Sequence, residues 1–146
     1  MSDAKADPWP KLALVTCSAS KLPGRHPARL LYQPSRLFQL CVEAVETDGL
    51  PFVIISSLYG IVLPDQELDS YERDLKALSS EQRQEWLALV DGQLRALVAD
   101  HGVREAVFLA GADYRSPVKP LLNELGVRTL IHRRWDAICD AAFGRT

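Results

Sequence analysis

Positive charge is not in excess in this chain. Seventeen lysines and arginines stand against nineteen aspartates and glutamates, a net charge of −2. Gripping duplex DNA through many phosphates takes a basic stripe, so that function lacks a global electrostatic basis here. Basic residues cluster only locally, at Lys21, Arg25, His26 and Arg29 and again at Arg128, His132, Arg133 and Arg134. Cysteine and histidine are sparse, three of each, and never fall into metal-ligand spacing, so no metal is expected. No Cys-x-x-Cys pair, signal peptide or apolar run long enough to span a bilayer is found, and a reducing cytoplasm is the expected location. The glycine-rich phosphate loops and the Gly-x-Ser-x-Gly elbow are also missing, and no cofactor is expected. Ser18 and Lys21 meet the Ser-x-x-Lys spacing of penicillin-recognising enzymes, but the partner motifs are absent and the chain is too short for that fold.

What is present is an ordinary globular composition, 47% hydrophobic and 25% charged over 146 residues, enough for one domain with a buried core. Residues 1–10 read as a loose tail and 11–146 as a single α/β domain. Four continuous apolar runs, 12–16, 52–55, 106–110 and 128–131, fit strands covered on both faces. Helical segments alternate with them. Ser35 and Gly49 bracket one, Ser79 with Gln82 opens a capping box for a second that ends at Gly102, and Ser116-Pro117 reads as the cap and first residue of a third. A last helix is expected over 134–143. This order predicts a Rossmann-like three-layer sandwich around a mainly parallel four-stranded sheet. Residues 60–78 lack a clear period and are too apolar for disorder, so they are expected to fold as a functional loop over the sheet edge.

In a parallel sheet all strands exit at one edge, where ligands bind. The first exit carries Cys17, Ser18, Ser20 and Lys21. The second carries Ser56, Ser57, Tyr59 and Gly60, the third Gly111, Asp113, Tyr114 and Arg115, the fourth His132 and Arg133. Small residues admit backbone N–H groups to an anion, cations neutralise it, and tyrosines stack on rings. Each has a plainer reading as a capped turn, a packing residue or a surface pair; Cys17 reads more readily as a buried thiol than as a nucleophile. The expected ligand is a nucleotide or nucleobase-containing small molecule. Lys21 and Arg115 would hold phosphate, with Cys17, Ser18, Ser20, Ser57, Gly60, Gly111 and Tyr114 lining the site. Tyr59 or Tyr71 would stack on the base. Among the carboxylates Asp65, Glu67, Asp69 and Glu72 of the irregular segment, Glu67 and Asp65 are the expected acid–base groups, suited to glycosidic-bond cleavage or base exchange.

The segment Ser57-Leu58-Tyr59-Gly60, then Leu63-Pro64, Tyr71 and Leu75, resembles the Tyr-Gly-x-x-x-Pro…Tyr signature of the YaaA proteins. The turn from Cys17 to Lys21 is similar to that family's serine-and-lysine turn. Small stand-alone relatives of unknown function show the same order, including a pair like Leu31-Tyr32 and a later segment like Gly111 to Arg115. The resemblance implies a cytosolic protein linked to peroxide stress and limiting iron, with DNA binding as a second, non-enzymatic reading through the residues near Arg25 and Arg133. It implies shared roles for Ser18, Lys21, Tyr59, Gly60, Pro64 and Tyr71. A third reading is a metabolite-sensing module whose helices bind a partner.

Overall fold

The computed structural model describes residues 7–144. The chain runs β1 (Lys11–Thr16), β2 (Arg25–Pro27), α1 (Ala28–Leu31), α2 (Arg36–Thr47), β3 (Phe52–Ser56), β4 (Gly60–Val62) and β5 (Glu67–Asp69). A single 3-10 turn at Leu75–Ala77 follows. Then come α3 (Ser80–His101), β6 (Glu105–Leu109), α4 (Ala112–Glu124), β7 (Arg128–Ile131) and α5 (Trp135–Ala142). It is a mixed α/β domain. Of the expected loose tail, residues 1–6 lie outside the described residues; Trp9 stacks on His101 with ring centroids 3.6 Å apart.

The main sheet has the order β4-β3-β1-β6-β7. Four strands are parallel, and β4 returns antiparallel along β3. Five strands therefore stand where the apolar runs predict four. The missed one is three residues long, too short to show a period, and is made by a turn: Ser56 Oγ accepts from the N–H groups of Leu58 (3.2 Å) and Tyr59 (3.0 Å). Residues 60–78 are correspondingly not a plain loop. They hold β4, β5 and the 3-10 turn, and β5 pairs antiparallel with β2 in a separate two-stranded sheet.

Side chains alternate along the central strand, as a pleated strand requires. Leu12 and Leu14 join a core with Trp86, Val90 and Leu94 of α3 and Val118 and Leu122 of α4. Ala13 and Val15 join a second core with Phe38, Cys41 and Val45 of α2 and Ile138 of α5. Helices thus cover both faces, which is why the strands read as unbroken apolar runs. Two helices start where their caps predict: Ser35 Oγ accepts from Phe38 N–H at 3.2 Å, and Ser79 and Gln82 form a reciprocal capping box. The third does not. α4 begins at Ala112 with Gly111 as N-cap, and Pro117 lies inside it, because Tyr114 and Arg115 N–H already bond to Gly111 O.

Candidate functional site

Strand order places the site. From β1 the chain crosses over α1 and α2 to β3 on one side, whereas β6 leads through α4 to β7 on the other, with α2 and α4 on opposite faces. The crevice between strands whose connections diverge is where open α/β sheets bind ligands. Cys17 Sγ and Tyr114 Oη, 3.3 Å apart, bridge the β1 and β6 exits across it.

A cleft of about 610 Å³ opens at this edge. Cys17, Ser18, Ala19 and Lys21 line it from the β1 exit, Ser57 from β3, Tyr114 from the first turn of α4, and Glu72, Arg73 and Asp74 from the segment before the 3-10 turn. That segment is tied down locally. Ser57 Oγ donates to Arg73 O at 2.7 Å, and Asp74 caps the 3-10 turn by accepting from Lys76 N–H at 3.0 Å. Lys76 then reaches Asp113 at the start of α4, 3.1 Å away. The β1 exit is held by Ser18 Oγ donating to Ser20 O at 2.7 Å and Lys21 Nζ donating to Ala19 O at 3.3 Å. The cleft therefore carries two cations, two carboxylates, a thiol, two hydroxyls and an aromatic ring in one small volume.

Beneath it lies a hydroxyl cluster. Tyr71 Oη sits 2.6 Å from Ser56 Oγ and 2.7 Å from Tyr32 Oη, and the Lys21 ammonium lies 4.4 Å over the Tyr71 ring. Burial, then the charge Cys17 would carry as a thiolate, pushes the Tyr71 phenol up to about 12. The same two causes raise Tyr114, and burial followed by the Tyr71 charge raises Tyr32. These phenols stay neutral donors at ordinary pH.

Several expected site residues lie elsewhere. Tyr59 turns from the cleft, its hydroxyl on Asp69 O at 3.1 Å and its ring edge-on to Tyr71 at 5.3 Å. Arg115 donates to Ala110 O at 2.7 Å and is not a lining residue. Asp65 and Glu67 are exposed, Glu67 on β5, and neither lines the cleft. Ser20 contributes only its carbonyl, Gly111 is the N-cap of α4, and Gly60 lies under Gln93. His132 is buried: its Nδ1 accepts from Arg134 N–H (3.0 Å), so Nε2 carries the proton shared with Asp48 Oδ2 at 2.7 Å. Sequence reasoning passed over Arg73 and Asp74. Their one local signal is position, directly after Tyr71-Glu72 in the stretch without periodicity.

Residues 12–133 match a family of unknown function, DUF6884. The chain belongs to this family. No curated protein matches it. Among solved structures it is similar to AF0587, a protein of unknown function, at 22% identity and a TM-score of 0.54; the match covers 92% of this chain and 42% of that one. The chain thus spans less than half the length of that structure, and the likeness is one of fold. The family match takes in the whole cleft, from Cys17 to Tyr114. Among the described residues, no group of three or more His, Cys, Asp or Glu is placed to hold a metal ion, and no helix is long and apolar enough to cross a membrane.

The local basic clusters are largely paired. Arg25 faces Asp69 at 3.3 Å, Arg128 contacts Glu105 at 2.6 Å and Arg133 contacts Asp48 at 3.4 Å.

Proposed function

We propose that the cleft binds a small molecule of the nucleotide class and acts on its glycosidic bond. The observation that carries this reading is the meeting of Lys21 and Arg73 with Glu72, Asp74 and Tyr114 around one cavity at the divergent strand exits. A phosphate needs cations and N–H donors; the Lys21 ammonium and the Arg73 guanidinium, both lining the cleft, supply them. A base needs a ring face and hydrogen-bonding edges, supplied by Tyr114, Ser18 and Ser57. Hydrolysis breaks the C1′–N bond and forms a C1′–O bond from water, whose proton ends on the departing base. A carboxylate close to the reacting carbon can activate that water, and Glu72 or Asp74 supplies it in place of Asp65 and Glu67. The cavity volume lies within the range of small-molecule sites, roughly 300–1,000 Å³. In this reading the fold is Rossmann-like and three-layered, and the kinship with YaaA proteins rests on Ser18 and Lys21 in the cleft and on Tyr59, Gly60, Pro64 and Tyr71 behind it.

The test is thermal-shift and calorimetric screening of the full chain against nucleosides, nucleotides and free bases. A nucleoside monophosphate is expected to bind more tightly than its nucleoside. Lys21→Ala and Arg73→Ala should each lose about tenfold of that preference, the weight of one charge-assisted contact. Glu72→Gln or Asp74→Asn should abolish base release without loss of binding. Absence of any nucleotide or base hit sinks the reading.

A further inference from the structure

Ser56 Oγ accepts from two backbone N–H groups, Leu58 and Tyr59, which uses both of its lone pairs. Its own proton must therefore go to Tyr71 Oη, 2.6 Å away. Tyr71 is held on its other side by Tyr32 Oη and flanked edge-on by the Tyr59 ring. Three contacts thus fix the plane of the Tyr71 ring, and one face of that ring carries the Lys21 ammonium at 4.4 Å. That face is not open for a base to stack on.

Lysine has three N–H donors. One goes to Ala19 O, and the ring face takes the charge from below. The side that remains faces the cleft Lys21 lines. A lysine on an exposed turn ordinarily samples many rotamers and gives up that freedom when it binds an anion. Here the freedom is already spent before a ligand arrives.

We infer that Tyr71 is a positioning residue that locks Lys21 as an anion-binding point at the cleft, matched to a phosphomonoester oxygen. The phosphate assignment rests on the nucleotide reading above; the locking of Lys21 does not. Tyr71 touches no ligand, and its hydroxyl and its ring have separate duties. The hydroxyl anchors the ring to Ser56 and Tyr32, and the ring holds the ammonium.

The two duties are separable in the full-length protein by NMR of the Lys21 methylene beside the ammonium, assigned with Lys21→Ala. In the wild type these protons should show an upfield ring-current displacement. Tyr71→Phe, which keeps the ring, should retain most of it while melting at lower temperature. Tyr71→Leu should abolish it. Inorganic phosphate and a nucleoside monophosphate, titrated into the same proteins, should lose about three- to tenfold in affinity in Tyr71→Leu and less than about twofold in Tyr71→Phe. An unshifted Lys21 signal in the wild type overturns the inference, whether or not the leucine variant folds. So does a folded Tyr71→Leu protein that binds phosphate like the wild type. A Lys21 shift that depends on Tyr71, in a protein that binds neither phosphate nor nucleotide, upholds the locking of Lys21 but overturns its role as an anion-binding point and removes the nucleotide reading.

Discussion

Gly60 does more than end a turn. Its φ is +74°, in the left-handed region where a Cβ costs about 1–2 kcal/mol. A Cβ there would also collide with Gln93 Oε1, the atom that accepts from Ile61 N–H at 2.7 Å while the Gln93 amide donates to Tyr59 O at 3.0 Å. Gln93 cannot withdraw without stranding both backbone groups. Gly49 has a similar φ of +67° but open space around it. Gly60→Ala is therefore expected to cost about 2–4 kcal/mol and Gly49→Ala only about 1 kcal/mol. Urea melts of the two variants check this, and equal losses would show that the Gln93 contact is unimportant. At this scale the sequence was informative about type and silent about partner. That Tyr59-Gly60 closes a turn is legible from local chemistry. That residue 93 fills the space behind it is not, because the contact spans 32 positions between Ile61 and Gln93.

At the scale of elements, boundaries marked by a side-chain cap were legible and those without one were not. Ser35, Ser79 and Gln82 announce their helices because their hydrogen bonds are local. Gly111 forms no side-chain cap, so the Ser-Pro pair five residues on looks like the start of α4 although it lies within it. The strand exits were legible for a similar reason: parallel strands bring Cys17, Ser57 and Tyr114 to one edge whatever the loops do. The 72–74 segment was not, since its path depends on Ser57 reaching Arg73 O and on the half-buried Tyr71. The misplaced helix start has a consequence for stability. Pro117 and Pro120 both sit inside α4, and each removes an N–H from the helical ladder. Pro120 is exposed and holds no packing position. Pro120→Ala restores the ladder bond to the Ser116 carbonyl, and the unfolded chain regains a little entropy against it. A net gain of about 1–2 kcal/mol is expected. A lower melting temperature in this variant would mean that α4 is adapted to its bend.

For the whole molecule, one edge of the main sheet is tied to the helical layer by a charged clamp. Asp48, the C-cap of α2, receives the Nε2 proton of buried His132, which follows edge strand β7, and also faces Arg133. The clamp joins two parts of the chain 84 residues apart and secures the end of edge strand β7. The hydrogen bond from His132 holds the Asp48 carboxyl below its ordinary value of 3.8; desolvation, the next largest effect, opposes it, and the positive charge of Arg133 adds to the lowering. A carboxyl depressed in the folded state binds its proton more readily when unfolded. Its contribution is therefore fully present above about pH 4 and is lost as pH falls through the depressed value. Asp48→Asn removes that dependence and also sets an amide where His132 needs an acceptor. The variant is expected to melt at a lower temperature at pH 7, with the gap to the wild type closing as pH drops below 4. Thermal melts followed by circular dichroism from pH 7 to pH 2 would read this. A gap that stays constant across the range would show that the ionised form of Asp48 contributes nothing, and that shape alone keeps α2 against the end of β7.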